Sequence, residues 1–332
     1  MKRLGKAKCL AFKKEVFKFW ELVKSRPRRL GLFFVAAVFF LFLPGQNFYQ
    51  TTRILAKQPP VRTVKFPTPT IAPYPVKISV SQPAEITARS AVVMDVDSKV
   101  ILFSKEPDLK LLPASLTKIV TALVALENYQ LSDVLTVKHL YVEGAQMGLF
   151  ENEVISVENL LYGLLLPSGN DAAFTLAENF PGGFEQFITA MNKKTTQLGL
   201  KNTHFTNPTG EEDANHFSTA WDLAHLASYA MNNPVFAKIV STPQLTVSNS
   251  DQTRWHDLKN INILLKENLG VKGIKTGWTE EAGGCLIAYV ERGKRKIIVV
   301  VLKSENEDTR FEDAKALIEW AFTTHKWQKL GF

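Results

Sequence analysis

The chain has 332 residues, 45% of them hydrophobic, and a formal net charge of +8, enough for one large domain or two small ones around a sizeable core. The charge is uneven: residues 1–29 hold eleven Lys/Arg against two Asp/Glu and residues 30–78 five against none, whereas residues 79–332 hold 24 against 30. Basicity therefore belongs to the N-terminal arm, and the net acidic remainder carries no signature of nucleic-acid binding.

In chain order, Phe12, Val16, Phe19, Trp20 and Val23 recur at helical spacing with Lys13, Lys14 and Lys18 largely between them. That pattern predicts a basic amphipathic helix suited to an anionic membrane surface. The uncharged run from Leu30 to Leu43 follows; as a helix it would span only about 21 Å, short for a bilayer and typical of a signal-peptide core. The long positive flank and the absence of an A-x-A-like cleavage site favour an uncleaved anchor over residues 30–43, with the arm of residues 1–29 in the cytoplasm and the remainder outside. Six prolines between Gln58 and Pro75 predict an extended spacer, so residues 44–78 read as a linker.

Residues 79–332 then read as one catalytic domain. Ala91–Val96 and Val100–Ser104 are strand-like runs around Asp97-Ser98-Lys99, a β-hairpin. A helix starts near Ala114, just after Pro113, and is apolar nearly all round. Further helices are expected over Ser156–Leu166, stopped by Pro167, and over Asp171–Asn179, Phe184–Leu198 and Ser218–Met231. Strands return at Gly273–Trp278, Cys285–Val290 and Lys296–Leu302, and Phe311–Phe322 closes as an amphipathic helix. The expected fold is α/β: one antiparallel sheet assembled from both chain ends, flanked by helices, with an inserted all-helical subdomain. Only Cys9 and Cys285 are present, on either side of the apolar run, and the six histidines are scattered, so neither a disulfide nor a metal site is expected.

Ser115 and Lys118 stand three residues apart on one face of the first turn of a buried helix. A lysine at such a position is desolvated, which lowers its pKa and makes it a neutral base beside a serine hydroxyl, the minimal equipment for a serine nucleophile without histidine. The S-x-x-K pattern alone is weak. The order Ser115-Leu-Thr-Lys118, Ser168-Gly-Asn170, Lys275-Thr-Gly277 is far stronger, because the three fall at a helix start, in a break between helices and on a strand. Ser304-Glu-Asn306 also fits S-x-N but lies after K-T-G among charged residues and reads as a surface turn.

These motifs and their flanks, LLPASLTKIVTALVALE, LLLPSGNDAA, MNKKTTQLGLKNTHFTNPTG, HFSTAWDLAHLA and GIKTGWTEEAGGCLIAYV, resemble the D-alanyl-D-alanine carboxypeptidase family of low-molecular-mass, serine-type penicillin-binding proteins. The resemblance implies the penicillin-binding-protein/β-lactamase-like transpeptidase fold, a sheet domain joined to an all-helical one with the site between them. It implies removal of the terminal D-alanine from peptidoglycan stem pentapeptides through an acyl-enzyme on Ser115, with β-lactams as inhibitors and no cofactor. Lys118 would be the base, its pKa kept low partly by Lys275, and Ser168 would relay the proton to the leaving amine. Asn170 would bind Lys118 and the substrate amide, Lys275 and Thr276 the terminal carboxylate. Gly277 would let the substrate backbone approach, and the backbone N–H groups of Ser115 and Trp278 would form the oxyanion hole. Many relatives continue into a C-terminal β-rich domain and an amphipathic anchor; here both are expected to be absent, the N-terminal segment replacing the anchor at the bacterial cell membrane.

Plainer roles stand beside these. Asn170 could simply cap the helix at Asp171, Thr276 could be only a strand former, a helix start accounts for Thr219 and Asp222, and Cys285 reads as a small buried residue. Glu211-Glu-Asp-Ala-Asn215 fits the E-x-x-x-N spacing of some β-lactamases, one rival reading; a peptidoglycan endopeptidase is another. A catalytically silent wall-binding protein is the rival from a different class, and the intact motif positions argue against it.

Overall fold

The computed structural model describes residues 27–42, 73–83, 85–140 and 143–328. It divides into two units, Met1–Pro69 and Thr70–Phe332. In the first, helix α1 runs over Pro27–Leu41. The amphipathic segment expected over residues 8–24 and most of the spacer lie outside the described residues. Among the described residues no helix is long and apolar enough to cross a membrane.

The second unit is built on a five-stranded antiparallel sheet. Its strands are β2 (Ser90–Asp95), β3 (Ile101–Lys105), β8 (Val271–Thr279), β9 (Gly283–Arg292) and β10 (Arg295–Ser304), in the order β3-β2-β10-β9-β8. The predicted hairpin is β2–β3, and the N-terminal strand β2 pairs with the C-terminal β10 in register from Ser90↔Leu302 to Asp95↔Ile297. One sheet from both chain ends is therefore what forms, and it leaves β8 with one free edge.

Both faces of the sheet are covered, so its central strands are apolar on both sides. Ile298, Val300 and Leu302 of β10 join Ile287 of β9 and Met94 of β2 in the core shared with the helices. Ile297, Val299 and Val301 pack the other way with Leu286 and Val93, against Phe311, Leu317 and Ile318 of the closing helix α8 (Thr309–Thr324). The period of two along each strand sorts the side chains between these cores.

The helical middle holds α2 (Lys118–Asn128), α3 (Val157–Leu165), α4 (Asn170–Glu178), α5 (Phe184–Gln197), α6 (Ala220–Ala230) and α7 (Pro234–Val240), with two short hairpins, β4 (Val134–Thr136) with β5 (Val154–Ser156) and β6 (Gln244–Ser248) with β7 (Trp255–Lys259). Local chemistry sets the ends. The Ser156 hydroxyl accepts the Asn159 N–H at the start of α3, and the Thr219 hydroxyl accepts the Asp222 N–H at the start of α6, each a side-chain N-cap. One pairing was not expected: β1 (Tyr74–Lys77), which includes Tyr74 and Pro75 from the predicted spacer, pairs antiparallel with β11 (His325–Gln328).

Candidate active site

The nucleophile turn departs from a plain helix start. Ala114 takes a left-handed φ of 48°, and Ala114–Thr117 form a 3₁₀ turn that leads into α2 at Lys118. Side chains three apart eclipse in a 3₁₀ turn, which sets Lys118 over Ser115: its Nζ lies 3.0 Å from Oγ. The Nζ is also 2.6 Å from Asn170 Oδ1 and 2.8 Å from the Thr209 carbonyl.

Lys118 is fully buried, and burial brings its pKa down to about 7 against the opposing charges of Glu211 and Asp171. A neutral amine has two N–H donors and one lone pair. Asn170 Oδ1 and the Thr209 carbonyl only accept, so they take both donors and leave the lone pair facing the Ser115 hydroxyl. Desolvation is thus what lowers the pKa, and Lys275, expected to help, does not figure among the main influences on it.

Asn170 is the first residue of α4 and does not cap it: the N-cap is Gly169, and the first-turn Ala172 N–H is accepted by the Asp171 carboxylate at 2.9 Å. Its amide is fixed by use of both ends: Oδ1 accepts from Lys118, and Nδ2 donates to the Glu143 carbonyl at 3.1 Å. Ser168, at a left-handed φ of 70°, is 3% exposed, and its hydroxyl has no hydrogen-bond partner among the described residues. A buried hydroxyl on a left-handed, non-glycine backbone is costly, which marks it as a place held for a ligand. Asp171 carries a role the sequence did not suggest. Its carboxylate accepts the N–H groups of Met147, Gly148 and Leu149 at 2.9–3.1 Å, pinning the loop that supplies Glu143 and Ala145 to the cavity wall.

K-T-G lies on the edge strand β8. Lys275 is buried and its Nζ donates to the Thr276 carbonyl at 3.0 Å. Burial pushes its pKa well below the ordinary range, and the charges of Lys118 and Arg310 add to that; a bound carboxylate opposes both effects. Thr276 is 1% exposed and its hydroxyl is unpartnered among the described residues. Gly277 has a different reason from the one expected. A Cβ there would stand 3.0 Å from both the Ser115 nitrogen and the Ala114 Cβ, so the glycine admits the nucleophile turn itself against β8. Trp278 follows with its side chain 48% exposed.

Ser115, Ser168, Asn170, Thr276, Gly277 and Trp278 line one cavity of about 680 Å³, and Lys118 meets it through Ser115 and Asn170. Sequence reasoning missed Arg310, which also lines the cavity. It is buried in the first turn of α8, donating to the Gly277 carbonyl at 2.9 Å and to Glu307 at 2.8 Å, with its Nε unpartnered among the described residues. It also missed His216. That ring accepts the Thr206 N–H at Nδ1 (3.1 Å) and holds Thr117 Oγ1 with Nε2 (2.8 Å), which braces the nucleophile turn; burial lowers its pKa to about 4. A buried histidine two residues before a serine-threonine helix start was the available signal.

The plainer roles resolve as well. Asp222 accepts from Asn202 N–H and the Thr203 hydroxyl besides belonging to the α6 cap. Cys285 is buried with a thiol pKa pushed up to about 11. The decoy is not the surface turn expected at its first residue: Ser304 is buried at the end of β10 and donates to Asp313, while Asn306 accepts the N–H groups of Asp308 and Thr309 in the connection into α8. Glu211 lies on the cavity wall within electrostatic reach of Lys118.

Residues 77–306 match the family model for peptidase S11, D-alanyl-D-alanine carboxypeptidase. The chain belongs to the D-alanyl-D-alanine carboxypeptidase family. The carboxypeptidase DacF of Bacillus subtilis is 36% identical over 247 residues, covering 72% of this chain and 63% of that protein. The chain likewise spans 63% of DacA of Haemophilus influenzae. A D-alanyl-D-alanine endopeptidase of Pseudomonas aeruginosa is 34% identical over 256 residues, 75% of this chain and 82% of that protein. Among solved structures, the Streptomyces K15 DD-transpeptidase superposes with a TM-score of 0.70 at 33% identity, covering 73% of this chain and all of that one. The fold is thus that of the penicillin-binding-protein DD-peptidases, as expected from the sequence.

Proposed function

We propose that this protein is a serine-type D-alanyl-D-alanine carboxypeptidase that removes the terminal D-alanine from peptidoglycan stem pentapeptides and is acylated by β-lactams. The observation that carries the reading is the position of the Lys118 amine, buried, with both donors occupied and 3.0 Å from the Ser115 hydroxyl. In the mechanism, the peptide lies along the free edge of β8, its terminal carboxylate toward Lys275, Thr276 and Arg310. Lys118 takes the Ser115 proton as Oγ attacks the carbonyl between the two D-alanines. The oxyanion is received by the N–H groups of Ser115 and Trp278. Ser168, which has no partner among the described residues, passes the proton from Lys118 to the leaving D-alanine nitrogen. Water then hydrolyses the ester on Ser115; a β-lactam opens to the same ester and stalls there.

Mass spectrometry of the protein incubated separately with a stem pentapeptide and with benzylpenicillin tests this. The reading expects D-alanine release from the peptide and a stable penicilloyl adduct on Ser115. Rapid turnover of penicillin with no D-alanine release would instead favour a β-lactamase using Glu211. The similarity to the P. aeruginosa endopeptidase supports a second reading, cleavage of D-alanyl cross-links, and a cross-linked dimer cut faster than the pentapeptide would establish it.

We further propose that the basic arm and the apolar segment around α1 hold the protein at the bacterial cell membrane with the catalytic domain on the extracytoplasmic side. The support is the concentration of Lys/Arg before residue 30 and the uncharged run after it. A reporter fused after Tyr49 is expected to be active outside the cytoplasm only; activity confined to the cytoplasm would refute the orientation.

A further inference from the structure

Beside the catalytic groups, two buried carboxylates hold one stretch of backbone between them. Asp171 accepts the N–H groups of Met147, Gly148 and Leu149, and Glu153 accepts the next one, that of Phe150, at 2.9 Å. Four consecutive backbone donors are thus turned toward two anions, an array that favours negative charge. Asp171 belongs to the first turn of α4. Glu153 comes just before β5, and its second oxygen meets His256 Nε2 on β7 at 2.6 Å, the side chains of Glu153 and His256 being 0% and 3% exposed. A carboxylate and an imidazole buried together at that separation form a directional contact strengthened by the dry surroundings, and 103 positions of sequence separate them.

What the pair joins decides what it does. Ahead of Phe150 the same stretch supplies cavity wall: the Ala145 carbonyl accepts the Asn170 N–H at 2.7 Å, and the Glu143 carbonyl accepts Asn170 Nδ2 at 3.1 Å. Asn170 Oδ1 in turn holds the Lys118 amine at 2.6 Å. Beyond His256, β7 leads on to Ile261, which also lines the cavity and donates its N–H to the Leu166 carbonyl at 3.2 Å, just ahead of Ser168. The loop and the end of the β6–β7 hairpin are therefore separate pieces of one wall, and Glu153 with His256 is a buried link between them. Nearer the surface Arg254 reinforces the link, its guanidinium 3.8 Å from the centre of the Phe150 ring.

We propose that Glu153 and His256 are positioning residues: together they fix the wall that carries the Glu143 and Ala145 carbonyls, and through Asn170 they aim the Lys118 amine at Ser115. This deepens the carboxypeptidase reading and rests on it. Loss of the link releases the Phe150 N–H and lets the stretch from Glu143 to Phe150 turn about its remaining grip on Asp171. Asn170 then follows its two carbonyl partners, and the lone pair of Lys118 loses its aim. The carboxylate-binding groups, Lys275, Thr276 and Arg310, belong to the opposite wall and stay in place. Ligand binding is therefore kept while the chemical step slows, since a small displacement of a base is felt in the rate.

The test is acylation of the purified full chain by a fluorescent penicillin, its concentration dependence separating the rate of the chemical step from binding. Glu153→Ala is expected to slow that step about tenfold with binding unchanged. Glu153→Gln, whose amide accepts from Phe150 and meets His256 in its other tautomer, recovers most of the rate. His256→Asn, whose amide stops short of Glu153, slows the step a few-fold and carries the test should Glu153→Ala not fold. Asn159→Ala removes a different tie of the same hairpin, the Nδ2 bond to the Ser248 carbonyl at 2.8 Å, and is expected to acylate at the wild-type rate. A wild-type rate in folded Glu153→Ala or His256→Asn, weakened binding in place of a slower step, no recovery in Glu153→Gln, or an equal loss in Asn159→Ala would overturn the positioning role and leave the carboxypeptidase reading standing. A wild-type protein that takes no label would remove that reading and the positioning role with it.

Discussion

The two walls of the cavity differ in how far their polar groups are satisfied before anything binds. On the helical wall Lys118, Asn170 and the Thr209 and Glu143 carbonyls close a hydrogen-bonded set that contacts Ser115, and the proton-relay hydroxyl of Ser168 alone stays buried without a partner among the described residues. On the sheet wall the Thr276 hydroxyl and Arg310 Nε are buried without partners among the described residues, and burial and neighbouring charges push the Lys275 pKa well below its ordinary range. Activation of the nucleophile is thus built in, while recognition is left incomplete until an anion arrives. The unfinished half is costly to the fold, because buried polar groups without partners are destabilising, and that cost is recovered when substrate binds.

The sharpest break of this contrast is Lys118→Ala, which removes the built-in base. Acylation by a fluorescent penicillin is expected to fall by about 10³-fold or more, with circular dichroism showing a retained fold. Next is pH. The base works as the neutral amine, so with a Lys118 pKa of about 7 the acylation rate holds above that pH and drops about tenfold for each unit below it. His216 stays neutral down to about pH 4 and does not produce that limb.

A smaller pair of effects separates the walls directly. Thr276→Val replaces an unpartnered buried hydroxyl by a methyl and is expected to raise stability by up to about 1 kcal/mol while slowing acylation about tenfold. Asn170→Leu strands Lys118 Nζ and the Glu143 carbonyl and is expected to lower stability by about 1–3 kcal/mol. Paired thermal melts check both, and equal signs would dissolve the contrast. Smallest is His216→Gln, where an amide N–H still reaches toward Thr117 and acylation is expected to slow only a few-fold.

Much of the sheet was legible because its strands are apolar on both faces: Ala91–Val96, Cys285–Val290 and Lys296–Leu302 each fall within an observed strand or within a residue of its end. The β1–β11 pair was not, because four residues containing Pro75 look like the spacer that precedes them, and their partner lies some 250 residues away. The β6–β7 hairpin escaped for a related reason, since Gln244–Ser248 and Trp255–Lys259 are largely polar and partly exposed. In the site, the three motifs were legible as spacings of reactive residue types. Arg310 was not, because nothing local ties the first turn of the closing helix to Gly277, 33 residues earlier. Asp171 was visible only as a residue of a helix start, and its grip on the loop at Met147–Leu149 exists only in three dimensions.

The central claim is that burial lets Lys118 shed its proton near neutral pH, so that a large share of the resting protein carries a neutral base. Its side-chain ¹³Cε resonance, assigned by its loss in Lys118→Arg and followed from pH 5 to 10, measures this directly. A midpoint near 7 is predicted; a lysine that stays protonated through pH 9, close to its ordinary value of 10.5, would contradict the account.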